Sequence, residues 1–219
     1  MVVAIDGPAG VGKSTIARMI AERCGFYYLN SGSFYRAVAW NYLQKFGEPT
    51  DREKVLASAQ KIKFSIVDDH LCVDGQDVQA FLHTPAVDLW ASKVSVDPAV
   101  RQVVNDNLYE LSKGMDIVAE GRDITTVVFP DAECKFYFDA SAEVRARRRL
   151  EQHPEGLSYE QVLNEILERD EIDRNKPVGG LKIASDACYI DTSYLTIEQV
   201  CEKVVTAIFA RKTLTNRKN

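Results

Sequence analysis

At 219 residues, 46% hydrophobic and 27% charged, the chain has room for one well-buried α/β core with insertions rather than a second full domain. A net charge of −5 argues against a protein that coats nucleic acid or an anionic membrane, and no apolar run approaches the length of a membrane span. The five cysteines (Cys24, Cys72, Cys134, Cys188, Cys201) form no C-x-x-C pair and read as small buried hydrophobes in a reducing compartment. The chain enters its first strand directly from Met1, leaving no room for a signal peptide, so the expectation is a cytoplasmic protein.

In chain order, the apolar run Val2–Asp6 predicts a buried strand, and Ile16, Ala17, Ile20 and Ala21 have the spacing of a helix over Lys13–Cys24 with Gly25 as a left-handed cap. Phe26–Leu29 is too short for a helix and reads as a second strand. Asn30–Arg36 opens a helix to about Phe46, and Asp51 caps a short one to about Gln60. From Ile62 apolar and polar residues alternate, with turns at Asp68-Asp69 and Asp74-Gly75, which is the pattern of a small antiparallel insert over 62–84. Helices follow at Ala86–Val96 and, capped by Asp97-Pro98, up to Lys113.

Asp116–Ala119 and Lys135–Asp139 are further buried strands. Helix Ala142–Gln152 stops before His153-Pro154-Glu155-Gly156, and Ser158 with Gln161 forms a capping box for a helix to about Arg174. Ala187–Ile190 gives the last strand, Thr196 and Gln199 cap the last helix to about Arg211, and the polar tail Lys212–Asn219 is expected to fray. Apolar strands alternating with helices imply an α/β fold, a doubly wound five-stranded parallel sheet with a phosphate loop, a small antiparallel β insert and a helical lid. The expected division is core 1–61, insert 62–84, core 85–152, lid 153–185 and core 186–219.

Between the first strand and first helix, Gly7-Pro8-Ala9-Gly10-Val11-Gly12-Lys13-Ser14-Thr15 fills the pattern G-x-x-x-x-G-K-[ST] without a mismatch. Glycines let the backbone wind so that successive N–H groups face phosphate oxygens, and the helix N-terminus adds its positive end. Lys13 is placed for the outer phosphates and the Ser14 hydroxyl for Mg²⁺. The pattern implies a nucleoside triphosphate site.

In such sheets ligands gather at the carboxyl ends of strands. Two more polar stretches stand there. Glu120-Gly121-Arg122-Asp123 supplies a planar guanidinium suited to phosphate and a carboxylate able to orient Mg²⁺-bound water, or equally an Arg–Asp pair that holds a turn. Ser31, Ser33, Tyr35 and Arg36 sit at a helix start, where either serine serves as readily for an N-cap. Arg145, Arg148 and Arg149 share a helical face, read as solvated or as approaching a triphosphate when a lid closes. Arg169 and Asp173 read as an i,i+4 surface pair or as lid residues. His70, His83 and His153 read as surface residues, and no nucleophile–base pair is visible.

Over nearly its whole length the sequence resembles the bacterial cytidylate kinases. The matching stretches are Ile5–Ser14, Ser31–Arg36, Gly121–Ala132 (G-R-D-I-T-T-V-V-F-P-D-A), Glu168-Arg169-Asp170 and Ile190–Ser193. The resemblance implies transfer of the γ-phosphoryl of ATP, with Mg²⁺, to CMP or dCMP, with Lys13, Arg122 and Arg169 acting on the phosphoryl. It implies that Ser31, Tyr35, Arg36 and Arg122 hold the acceptor and its phosphate, that Ser92, Arg101 and Asp123 read cytosine, and that Arg169 and Asp173, joined by Lys176, act from the lid side. A carboxylate such as Asp123 accepts from the exocyclic amine of cytosine and is left unpaired against uracil. The implied partners are these nucleotides alone, with no nucleic acid and no membrane, and a monomer is expected.

The sequence departs from the family at Asn30 and Glu120, where Asp is usual, at Lys176, where Arg is common, and at Ile172, which replaces a basic residue. Fewer lid arginines imply a weaker hold on ATP. The alternatives are a kinase for adenylate, shikimate or gluconate, a regulatory GTPase, whose N/T-K-x-D motif is approached only by Asn175–Val178, and a binding module that has lost catalysis.

Overall fold

The computed structural model describes residues 1–48, 50–67, 70–152 and 158–216. The expected turn at Asp68-Asp69, the helix stop at 153–156 with its His153, and the end of the tail at 217–219 lie outside the described residues. In chain order the elements are β1 (Val2–Asp6), α1 (Lys13–Cys24), β2 (Tyr27–Asn30), α2 (Ser31–Phe46), α3 (Arg52–Ala59), β3 (Phe64–Val67), β4 (His70–Val73), β5 (Gln76–Asp77), α4 (Pro85–Val94), α5 (Pro98–Ser112), β6 (Ile117–Gly121), β7 (Cys134–Asp139), α6 (Ala142–Gln152), α7 (Tyr159–Asn175), β8 (Cys188–Asp191) and α8 (Ile197–Asn216). The chain forms two compact units, one of Met1–Tyr28 with Met115–Asn219 and one of Leu29–Gly114.

The five-stranded sheet has the order β2-β6-β1-β7-β8. Strand β1 runs parallel to β6, from Val2 opposite Ile117 to Asp6 opposite Gly121, and parallel to β7 on its other side. Val3, Ala4 and Ile5 are fully buried, as a central strand covered on both faces requires. The stripe Ile16, Ala17, Ile20 and Ala21 of α1 shares one core with Val200, Val204 and Ile208 of α8 and with Phe136 and Phe138 of β7. Chain order reverses at β1, with β6 on one side and β7 on the other, so its carboxyl end is the place where such sheets open a crevice.

In the second unit, α2 packs on α4 and α3, and the antiparallel sheet β3-β4-β5 packs through β4 on α2 and through β3 on α5. Asp74 at φ 53° and Gly75 at φ 83° make the β4–β5 turn. Helix α2 is capped by Asn30, whose Oδ1 accepts from Ser33 N at 3.2 Å, so neither Ser31 nor Ser33 does the capping.

Two further differences from the sequence reading have local causes. Helix α8 continues past Arg211 to Asn216, since Lys212 is anchored 4.3 Å above the Phe26 ring and 3.4 Å from Asp116 Oδ2. After β6 the chain makes a π-helical turn, Ile124–Val128, closed by Phe129 N donating to Ile124 O at 2.8 Å. Its β-branched residues gave no helical signal.

Candidate active site

The phosphate loop is shaped by its neighbours. A Cβ at Gly7 would lie 2.2 Å from the carbonyl oxygen of Phe138, so no side chain fits there. Gly12 stands at φ 90° as the N-cap of α1, a left-handed conformation that glycine adopts without steric cost. Val11 points into the core, while Ser14 and Thr15 are exposed on the first turn of α1. Lys13 folds back over the loop, its Nζ donating to Pro8 O at 2.7 Å. Burial, then the nearby Arg122 charge, bring its ammonium down to about 7, against the opposing pull of Glu120, Asp6 and Asp173.

At the end of β6, Glu120 is buried and reaches the same place. Ser14 Oγ donates to Glu120 Oε1 at 2.6 Å, and Tyr28 Oη donates to the same oxygen at 3.1 Å. A hydroxyl and a carboxylate in contact beside a phosphate loop are hard oxygen donors of the kind Mg²⁺ takes alongside substrate phosphates. The donor set therefore fits the metal.

Arg122, Asp173 and Lys176 form a second cluster. Arg122 Nε donates to Asp173 Oδ2 at 2.8 Å and Lys176 Nζ donates to Asp173 Oδ1 at 2.8 Å, with Asp173 and Lys176 both mostly buried. Asp173 is therefore no surface residue. Burial works to raise its carboxyl, but the Arg122 and Lys176 cations overcome this and hold it at about 2. With the folded value below the ordinary 3.8, Asp173 stabilises the fold above about pH 4, and this contribution fades as pH falls from there toward 2. It amounts to about 2 kcal/mol. Urea titrations between pH 5 and 2.5 should show a shallower loss of stability in Asp173→Asn than in the parent chain; parallel curves would contradict the assignment.

The arginines of α6 do not act as one solvated face. Arg145 is buried, its Nη1 and Nη2 donating to Asp170 Oδ1 and Oδ2 at 3.0 and 2.6 Å and its Nε to Ala140 O at 2.9 Å. Its Nη1 also donates to Ala9 O in the phosphate loop at 3.1 Å. Arg148 donates to Thr192 O at 2.6 Å, and Arg149 pairs with Glu165 at the surface. Arg169 lies on α7, one turn before Asp173.

In the second unit, Ser31 and Tyr35 are buried on α2, and Arg36 Nε donates to Asp88 Oδ1 at 2.7 Å. Ser92 O accepts from Ser95 Oγ at 2.9 Å, Ser95 O accepts from Arg101 Nη1 at 3.0 Å, and the Arg101 guanidinium lies 5.4 Å from the Tyr35 ring centroid. Ser92, Arg101 and Tyr35 are thus linked in space. His70, read as an isolated surface residue, has a carboxylate partner, with Nδ1 2.7 Å from Asp77 Oδ2.

Sequence reading missed Asp6, Thr125, Asp170 and Asp88. Asp6 is fully buried and accepts from Ile124 N, Thr125 N and Thr125 Oγ1, and burial raises its carboxyl to about 6. The available signal was a carboxylate closing an otherwise apolar strand.

A parallel sheet with a phosphate loop on its central strand and a Ser–carboxylate pair at the loop's end defines a P-loop kinase. The same fold is seen in an uncharacterized protein from Eubacterium ventriosum, 11% identical over 96% of this chain and 98% of that one, with a TM-score of 0.55. The profile of the cytidylate kinase family matches residues 3–210. Cytidylate kinases of Thermodesulfovibrio yellowstonii and Clostridium botulinum are 41% and 42% identical, covering 93% and 94% of this chain and 96% of theirs. The chain belongs to the cytidylate kinase family.

Proposed function

We propose that the chain moves the γ-phosphoryl of ATP to CMP or dCMP, giving ADP and CDP or dCDP. The observation that carries this is the family match over residues 3–210, to which the Ser14–Glu120 contact beside an intact phosphate loop adds a site of the right chemistry. An acceptor phosphate oxygen bonds to the γ-phosphorus as the bond to the β–γ bridging oxygen breaks, and ADP leaves. The attacking oxygen is already anionic, so the reaction needs positioning and charge rather than a general base.

Gly7–Thr15 hold the triphosphate through loop N–H groups, with Lys13 on the outer phosphates. Ser14, with Glu120 behind it, would hold Mg²⁺, which when bound neutralises charge on the β- and γ-oxygens. Arg122 and Arg169 steady the moving phosphoryl. Arg122 is oriented for phosphate by its Nε on Asp173 Oδ2 at 2.8 Å and its Nη1 on Gly121 O at 3.5 Å. Ser31, Tyr35 and Arg36 receive the acceptor phosphate side. Ser92, Arg101 and Asp123 read the base, and Asp173 with Lys176 meets the sugar. Residues 153–185, of which 158–185 are among the described residues, act as a lid and 62–84 as an acceptor-side insert, the lid excluding water that would intercept the phosphoryl. The five cysteines are all free, which suits a reducing cytoplasm, and the working form is taken as a monomer. Among the described residues no helix is long and apolar enough to cross a membrane.

The base-reading role is tested by Asp123→Asn. An amide both accepts from the cytosine amine and donates to the uracil carbonyl, so the CMP-to-UMP ratio of kcat/KM should fall by about ten-fold or more. An unchanged ratio would remove Asp123 from the base site.

A further inference from the structure

Asp6 is the last residue of β1, opposite Gly121 of β6, and its carboxylate is fully buried. Its Oδ1 accepts from Ile124 N at 2.8 Å, and its Oδ2 accepts from Thr125 N at 2.8 Å and from Thr125 Oγ1 at 2.5 Å. These donors stand at the start of the π-helical turn that follows Asp123, where a helix start ordinarily leaves N–H groups without intrahelical partners. An Asp at an N-cap usually meets such donors with its own side chain, but here Asp123 makes no capping bond and Asp6 takes that part from 118 residues away. The Asp123 carbonyl meanwhile accepts from Val127 N and Val128 N, at 2.9 and 3.1 Å, fixing the residue's backbone to the same turn.

We propose that Asp6 is a positioning residue that fixes the Arg122–Asp123 segment against the end of β1 and thereby sets acceptor affinity and base selectivity. The proposal rests on the base-reading role given to Asp123. The strand that feeds the phosphate loop thus also carries the anchor of the acceptor-reading segment. Replacing one anchor oxygen with an amide turns an acceptor into a donor facing donors, and the segment must shift. A shift of about 1 Å at a positioned group changes rates by up to about 10²-fold.

The test uses Asp6→Asn, Thr125→Val and Thr125→Ser in the full chain, with Asp123→Asn alongside. KM for CMP, KM for ATP, kcat, the CMP-to-UMP ratio and the melting temperature are measured for each. Asp6→Asn should raise KM for CMP about ten-fold and lower the CMP-to-UMP ratio, while KM for ATP stays within about two-fold. Thr125→Val should move the same parameters by less, and Thr125→Ser, which keeps the hydroxyl, should restore them. If Asp6→Asn fails to fold, the Val and Ser pair carries the same comparison. A fall in melting temperature with both KM values and the ratio unchanged would overturn the proposal and leave Asp6 a structural anchor alone. Equal rises in both KM values would also overturn it. If Asp123→Asn lowers the ratio and the Asp6 and Thr125 variants do not, the positioning role fails and the base-reading role stands. If none of the variants moves the ratio, both fail.

Discussion

Lys13→Met lowers kcat by about 10²- to 10³-fold with little loss of stability. Electrostatic groups aimed at charge that develops in a transition state carry effects of this size when a single donor is removed. Lys13 is mostly buried and its Nζ already lies over the loop, bonded to Pro8 O, so the methionine chain fills the same space without the charge. A buried ammonium held at about 7 is half-deprotonated at neutral pH. The arrival of a triphosphate reverses this, since the anion favours the charged form. ATP binding therefore takes up a proton above about pH 7, and affinity falls as pH rises through that value. Calorimetric titrations at pH 8 in buffers of different ionisation enthalpy should show uptake approaching one proton in the parent chain and none in Lys13→Met. Retention of more than a third of the parent kcat, or equal uptake in both proteins, would contradict this role.

Asp170→Ala destabilises the protein by about 3–5 kcal/mol, since it strips the partner from a buried guanidinium. Arg145 and Asp170 are each about 3% exposed at the side chain and share two parallel hydrogen bonds, so the arginine has no water to turn to. The pair lies beside the α6–α7 contact, where Ala146, Val162 and Ile166 form a small apolar core. Arg145 also holds the loop carbonyl of Ala9, so the variant should raise KM for ATP as well. Replacing both partners with apolar residues, Arg145→Met with Asp170→Leu, recovers most of the stability while leaving Ala9 without its donor. Urea unfolding of the single and double variants measures this. A loss below about 1 kcal/mol in Asp170→Ala would show that the pair is not the buried unit described.

What the sequence made legible was local. Eight consecutive positions spell the phosphate loop because loop winding, helix start and lysine reach are all set within one strand–turn–helix junction. Ser158 and Gln161, or Thr196 and Gln199, could be read as caps for the same reason, their partners being three residues apart. The residues that tie the site together were illegible because their partners are remote. Asp6 meets Thr125 across 119 positions, and Arg145 meets Ala9 across 136. Three arginines at helical spacing look alike in sequence, yet Arg145 is buried on a carboxylate while Arg149 faces water. Asp173 looked like half of an i,i+4 pair and proved to be the anion between Arg122 and Lys176.

The central claim is most directly tested by following ADP formation from ATP and Mg²⁺ with CMP, dCMP, UMP, AMP, GMP and shikimate in parallel. Strong turnover with CMP and dCMP, feeble turnover with UMP and none with the others is the expected result. Turnover with shikimate or a purine nucleotide, and none with CMP, would keep the phosphate loop and discard the acceptor site described above.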